Sequence, residues 1–218
     1  MPVQDWMSKD VVTIDEATSI MKASKVMKQN KIQHLPVLSK GCLVGIVSDR
    51  DLKEATPSKA TTLDIHEMYH LLDTVTVKSL MPKNLLTITP GETVEKAAAV
   101  MLQNHISALP VVDAKGALAG IITKGDIFRA FVAVSGIQQA ELAIGFELAD
   151  RPGAIKRVTD VIRAHGGRIA SILTAYEGAP EGFGQVFIRA KDIKDEQALL
   201  KELEAKSKVL YFIREKVD

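Results

Sequence analysis

The sequence predicts an α/β (α+β) protein: two β-α-β-β-α units packed as a pair, followed by a ferredoxin-like βαββαβ domain. Two observations carry this. Residues 3–38 recur as residues 77–112 with 15 identities in 36 positions, and beyond Phe131 the pattern changes to a new one. The 218 residues are 46% hydrophobic and 25% charged but only 5% aromatic, and such small aliphatic side chains suit tightly packed α/β layers and exclude a disordered chain. After one extra residue in the second copy the repeat resumes at an offset of 75, pairing Leu43 with Leu118, Gly45 with Gly120, Ile46 with Ile121 and Asp51 with Asp126. A unit of this kind cannot cover both faces of its own small sheet, so pairing of two copies is the natural solution.

Each unit reads in the same order. The first has an extended segment at 11–14, an amphipathic helix at 19–30, a strand ending in Leu35, Pro36 and Val37, a turn at 39–41 and a strand at 43–47. Ser48-Asp49-Arg50-Asp51 then opens a second helix. The second copy repeats this at 85–88, 94–104, Leu109-Pro110-Val111, 113–116 and 118–122, with Thr123-Lys124-Gly125-Asp126 at the helix start. Between the copies, 54–76 reads as a connector with a short helical pattern at 63–72. Past Phe131 come a strand (140–148), the turn Asp150-Arg151-Pro152-Gly153 and a helix (154–164) ended by His165-Gly166-Gly167. A strand (168–176), a Gly- and Pro-bearing loop (177–184), a strand (185–190), a charged helix (194–206) and a last strand (209–214) complete the split βαβ arrangement. The expected organisation is a first unit at 1–55, a linker at 56–76, a second unit at 77–133 and a third domain at 138–218.

Charge and cysteine content narrow the class. Lys and Arg (28) balance Asp and Glu (27), so no sequence-wide field favours a nucleic acid or an anionic membrane, and neither is expected as a partner. The single Cys42 cannot form an intramolecular disulfide and reads as a small core residue on a strand. The N-terminus lacks a signal-peptide layout, and no apolar run is long enough to span a bilayer, so the expected location is the cytoplasm. His66-Glu67-Met68-Tyr69-His70 matches a zinc-hydrolase pattern of two histidines on one helical face with a glutamate as base. Its place in a connector, without an evident third ligand, argues against that rival. No metal and no catalytic residue are expected.

The duplicated Gly-Ile-hydrophobic-Ser/Thr-x-x-Asp is the best candidate for chemistry. At a strand-to-helix junction, free backbone N–H groups and a hydroxyl from Ser48 or Thr123 can meet a phosphate, and Asp51 or Asp126 can accept from ribose hydroxyls. The same residues also make a helix capping box. In order along each copy, Met-Ser or Met-Pro near the start, Leu-Pro-Val in the middle and this motif at the end resemble a tandem pair of CBS domains, a Bateman module, over about residues 3–131. The resemblance implies adenosine-containing ligands in two clefts: AMP, ADP or ATP, and in some relatives NAD or S-adenosylmethionine. It implies that Asp51 and Asp126 hold ribose hydroxyls, and that Ser48 and Thr123 meet the ribose-phosphate region. It further implies that Thr13 and Thr87 line the clefts, while Gln33 and His34, Ser107 and Ala108, next to Pro36 and Pro110, border the adenine. Arg50 and Lys124 are the candidate phosphate partners. Because His34 is replaced by Ala108 in the second copy, the two clefts are not equivalent.

Phe-Glu-Leu-Ala-Asp150-Arg151-Pro152-Gly153-Ala154-Ile155, followed by a helix and Gly-Gly-Arg-Ile, resembles an ACT domain over about residues 140–217. That implies dimerisation, and an amino-acid effector whose carboxylate meets amides after Gly153 at Ala154 and Ile155 while Asp150 pairs with its ammonium. A turn with Pro152 at a helix start explains the same residues. The domain order resembles the acetoin-utilisation B family. The resulting expectation is a non-catalytic sensor that forms a homodimer or higher homo-oligomer and regulates another protein, whose ligand shifts populations between two arrangements of the pair. A module with empty clefts that only binds proteins is the alternative.

Overall fold

Ser19 accepts the Lys22 N–H through its side chain at 3.3 Å and so starts helix α1 (Ile20–Asn30), whose Ile20, Ala23 and Met27 fall on one buried face. Thr93 does the same for α3 (Val94–Gln103) by accepting the Lys96 N–H at 3.1 Å, which buries Val94, Ala97 and Met101. The structure, a computed structural model, describes residues 1–56, 73–82 and 84–216. Both the helical pattern expected at 63–72 and the His66–His70 motif fall outside the described residues. Two compact units divide the chain, residues 1–127 and residues 128–218.

In the first repeat, β1 (Ile14–Asp15) pairs in parallel with β2 (His34–Ser39), which pairs antiparallel with β3 (Cys42–Ser48), and α2 (Asp49–Glu54) follows. In the second, β4 (Ala108–Val112) and β5 (Leu118–Thr123) form a two-stranded antiparallel sheet leading into α4 (Lys124–Ser135). The opening strands expected at 11–14 and 85–88 are shorter than predicted: two residues in the first copy, and a single bridge between Ile88 and Val111 in the second. The prolines explain this. Ile88 donates to the Pro110 carbonyl and accepts from Val112, but Pro110 has no N–H with which to continue the parallel ladder toward Leu86, and Pro36 imposes the same stop on β1.

The hairpins account for the change of offset. Lys40 and Gly41 both have positive φ (50° and 82°) in a two-residue turn, whereas residues 113–117 make a longer loop tied by the Asp113 carboxylate to the N–H groups of Lys115 and Ala117. Cys42, expected in the core, is exposed, because it is the first residue after that tight turn at the outer end of β3.

The segment that opens each repeat packs on the other repeat. Val77 donates its N–H to Thr18 at 2.9 Å, and its side chain joins the core of Ile20, Met27, Leu35 and Val47. At the equivalent position Val3 is fully buried and donates to Glu92 at 2.8 Å. Met81 lies over Gly45, where an added Cβ would fall on its sulfur. Met7 lies over Gly120, where a Cβ would come 2.6 Å from its sulfur and 2.9 Å from the Ser8 carbonyl oxygen. Glycine is needed in β3 and β5 for this close approach.

The second unit carries β6 (Leu142–Ala149), α5 (Ala154–Ala164), β7 (Arg168–Ala175), β8 (Phe183–Lys191), α6 (Glu196–Lys206) and β9 (Lys208–Arg214). Its four strands are antiparallel in the order β7-β8-β6-β9, the split βαβ topology expected from the sequence. Leu142, Ile144, Phe146 and Leu148 of β6 meet Val158 and Ile162 of α5 and Leu199 and Leu203 of α6 in one core. Gly145 leaves room for the Tyr211 ring, which stacks on Phe187 at 6.2 Å. Among the described residues no helix is long and apolar enough to cross a membrane.

Candidate functional site

The two strand-to-helix junctions have the same hydrogen bonding. The Asp51 carboxylate accepts from the Ser48 N–H and hydroxyl, both at 2.7 Å, while the Ser48 oxygen accepts the Asp51 N–H at 3.3 Å. In the second copy Asp126 accepts from the Thr123 N–H and hydroxyl at 2.8 Å, with a 3.4 Å return bond. The capping boxes are therefore formed. Both carboxylates also line clefts, so capping does not remove them from a binding surface: the cap fixes each carboxylate's direction, and one Asp51 oxygen takes both Ser48 donors.

Each cleft combines the end of one repeat with the beginning of the other. The first, about 680 Å³, is lined by Ser48, Arg50 and Asp51 of the first copy and by Leu85, Leu86, His105, Ser107 and Ala108 of the second. The second, about 530 Å³, is lined by Thr123 and Asp126 of the second copy and by Asp10, Val11, Val12, Lys31 and Ile32 of the first. Gln33, His34, Ser107 and Lys124 border both.

Thr13, Thr87, Pro36 and Pro110 are not among the residues that line either cleft. The threonines immediately precede Ile14 and Ile88, where each segment turns into its sheet, so the residues just before them face the clefts instead. The prolines sit inside β2 and β4, paired with Ile46 and Ile121, and are buried. Lys31 and His105 were missed by sequence reasoning. They occupy equivalent positions with left-handed backbone (φ 53° and 54°) just after α1 and α3, and the signal for them is the repeated Asn30 and Asn104, each bonded back to its own helix. Arg50 pairs with Glu54 at 2.7 Å and is largely exposed. In the second unit, Asp150, Arg151, Pro152 and Gly153 form an exposed turn; Gly153 (φ 83°) is the helix cap without a side chain to offer, Ala154 is buried and Ile155 is exposed.

One contact breaks the symmetry. His34 Nε2 and Ser107 Oγ lie 2.7 Å apart and tie the two repeats together between the clefts. The equivalent pair would be Ala108 with Gln33, and alanine has no side-chain partner to give. Burial holds the His34 ring below its ordinary pKa of 6.5, opposed by the charge of Asp51 and reinforced by that of Lys124. The unfolded chain therefore binds a proton at His34 near pH 6.5 while the fold resists it, so stability falls as pH drops through that value. His34→Gln should flatten this part of the profile. Urea midpoints measured between about pH 8 and pH 5 check it, and identical slopes for wild type and variant would reject the assignment.

Comparison with known proteins identifies the family of the two repeats. The CBS-domain family matches residues 3–58 and 77–133, more than half of the chain. The chain belongs to the CBS-domain family. An ACT domain follows, matched over residues 143–207. The CBS pair is 41% identical over 128 residues to a homoserine O-acetyltransferase of Methanococcoides burtonii, covering 58% of this chain and 23% of that protein. The chain thus spans about a quarter of the length of such relatives. Among solved structures it is similar to the CBS domain pair of protein MJ0100, in complex with 5′-methylthioadenosine and S-adenosyl-L-methionine. That likeness is 32% identical with a TM-score of 0.51, covering 61% of this chain and 96% of the other. It is also similar to AcuB from Vibrio cholerae, described as an acetoin utilization protein, at 28% identity and a TM-score of 0.50, covering 61% and 90%.

Proposed function

We propose that this chain is a non-catalytic regulatory protein that binds an adenosine-containing ligand in its CBS clefts, with the ACT domain serving self-association and taking an amino acid at the turn 150–155. The observation that carries the nucleotide reading is the pair of oriented carboxylates, Asp51 and Asp126, each lining a cleft of nucleotide size. The complex of the related MJ0100 pair with two adenosine compounds supports the same ligand class. A carboxylate whose donors are fixed by the backbone is pre-organised to accept two adjacent ribose hydroxyls, at little cost in side-chain entropy. The ACT turn supports an effector through the start of α5, which no side chain caps, although the Ala154 N–H is taken by the Arg151 carbonyl at 3.2 Å. The relatives named as acetyltransferases share only the CBS segment, so their chemistry is assigned to the rest of those proteins. The regulated partner is a protein whose activity responds when the ligand shifts the arrangement of the pair.

Calorimetric titration with AMP, ATP, NAD and S-adenosylmethionine tests this. At least one should bind, and Asp51→Ala should weaken the first cleft about 10-fold or more, the loss of one or two charge-assisted hydrogen bonds at about 1.5–3 kcal/mol each. Asp126→Ala should act likewise on the second cleft. Absence of binding by all four at millimolar concentration would defeat the reading and leave a module that binds only proteins.

A further inference from the structure

Lys124 borders both clefts. Its N–H is anchored to the Ser107 carbonyl at 3.0 Å, and its exposed side chain has no ion pair among the described residues. The other cationic groups are unevenly placed. In the first cleft Arg50 is engaged by Glu54 and Asp49 by Lys53, which leaves Asp51 on the lining with Lys124. The second is lined by Lys31 and Lys124 together with Asp10 and Asp126. Lys124 is the one lysine or arginine common to both linings, so its charge counts toward a phosphate in either cleft.

We propose that Lys124 is a single cation shared by the two clefts, so that a phosphorylated nucleoside in one weakens a phosphorylated nucleoside in the other, whereas neutral nucleosides fill both independently. This rests on the nucleotide reading above and adds its regulation. One ammonium cannot place its charge beside two phosphates on opposite sides of a wall, and whichever ligand binds first recruits it. The second ligand then enters a cleft deprived of that cation, beside an anionic neighbour. The wall itself cannot easily move to compensate, because the His34–Ser107 hydrogen bond ties its two halves together. By linkage the penalty is the same whichever cleft fills first.

Titrating the full chain with AMP and with adenosine tests this. The affinity of AMP for the second cleft is read from Asp51→Ala, at AMP concentrations where the weakened first cleft stays mostly unfilled. In wild type the second AMP should bind about 5- to 150-fold more weakly than that reference, the usual range of coupling between sites, while adenosine should show no such difference. Lys124→Gln, a change at an exposed position, should weaken the first AMP and reduce the ratio while leaving adenosine unchanged. A second AMP step equal to the Asp51→Ala value, or an unchanged ratio in Lys124→Gln, overturns the shared-cation proposal while the nucleotide reading stands. If neither AMP nor adenosine binds, the nucleotide reading itself falls, and the inference with it.

Discussion

Phe146→Ala should destabilise the C-terminal unit by about 3–5 kcal/mol, the usual cost of removing a large aromatic side chain from a packed core. Phe146 is fully buried on the central strand β6, flanked by Val186 on β8 and Val209 on β9, and lies in the core that both helices cover. Net stabilities of single domains are only about 5–15 kcal/mol, so this one change should leave the ACT domain partly unfolded at 37 °C. Two probes separate the units. The only tryptophan, Trp6, belongs to the CBS pair, so its fluorescence should follow an unaltered urea transition while part of the far-ultraviolet dichroism melts early. A single unchanged transition by both probes would show that Phe146 does not hold this core.

Gly120→Ala should cost about 1–3 kcal/mol through overpacking and should also weaken ligand binding in the second cleft. The added Cβ meets the Met7 sulfur and the Ser8 carbonyl oxygen, and Ser8 is the residue that pairs with Ile121 and lines that cleft. A methionine side chain can swing aside, but a backbone carbonyl moves only with its segment. Gly45→Ala therefore makes the internal control, since there the nearest atoms all belong to the Met81 side chain. Thermal denaturation of the two variants should rank Gly120→Ala as the more damaging, and adding Met7→Ala should restore only part of the loss. Equal effects at both glycines would refute the role given to the Ser8 carbonyl.

Much of this was legible in the sequence, for reasons that differ between elements. The helices were readable because their caps are local: Ser19, Thr93 and Gly153 each sit one residue before a helix. The C-terminal topology followed from the order of its segments, because short connections leave few ways to join them. Ser48, Asp51, Thr123 and Asp126 stand out in the sequence because duplication marks them, and the structure sets all four on the cleft linings. What could not be read was long-range. Nothing local says that Val77 serves the core of the first copy, or that Met7 covers a glycine more than a hundred residues away, although the repeated Met and Gly were visible as a pair of unexplained identities. For the same reason Thr13 and Thr87 fall outside the cleft linings: the sheet begins where the proline in the neighbouring strand permits, and that is set by a partner segment. Cys42 was misread because its strand was counted as core without asking which end meets the turn.

The crossed packing of the opening segments has a consequence for how such a protein assembles. A single repeat alone would lack the valine and methionine that finish its own core, and would have to obtain them from a second molecule while lending its own. In separate chains that exchange would depend on protein concentration. Joining the repeats replaces it with a high local concentration of each segment for its counterpart, so the pair closes at any dilution.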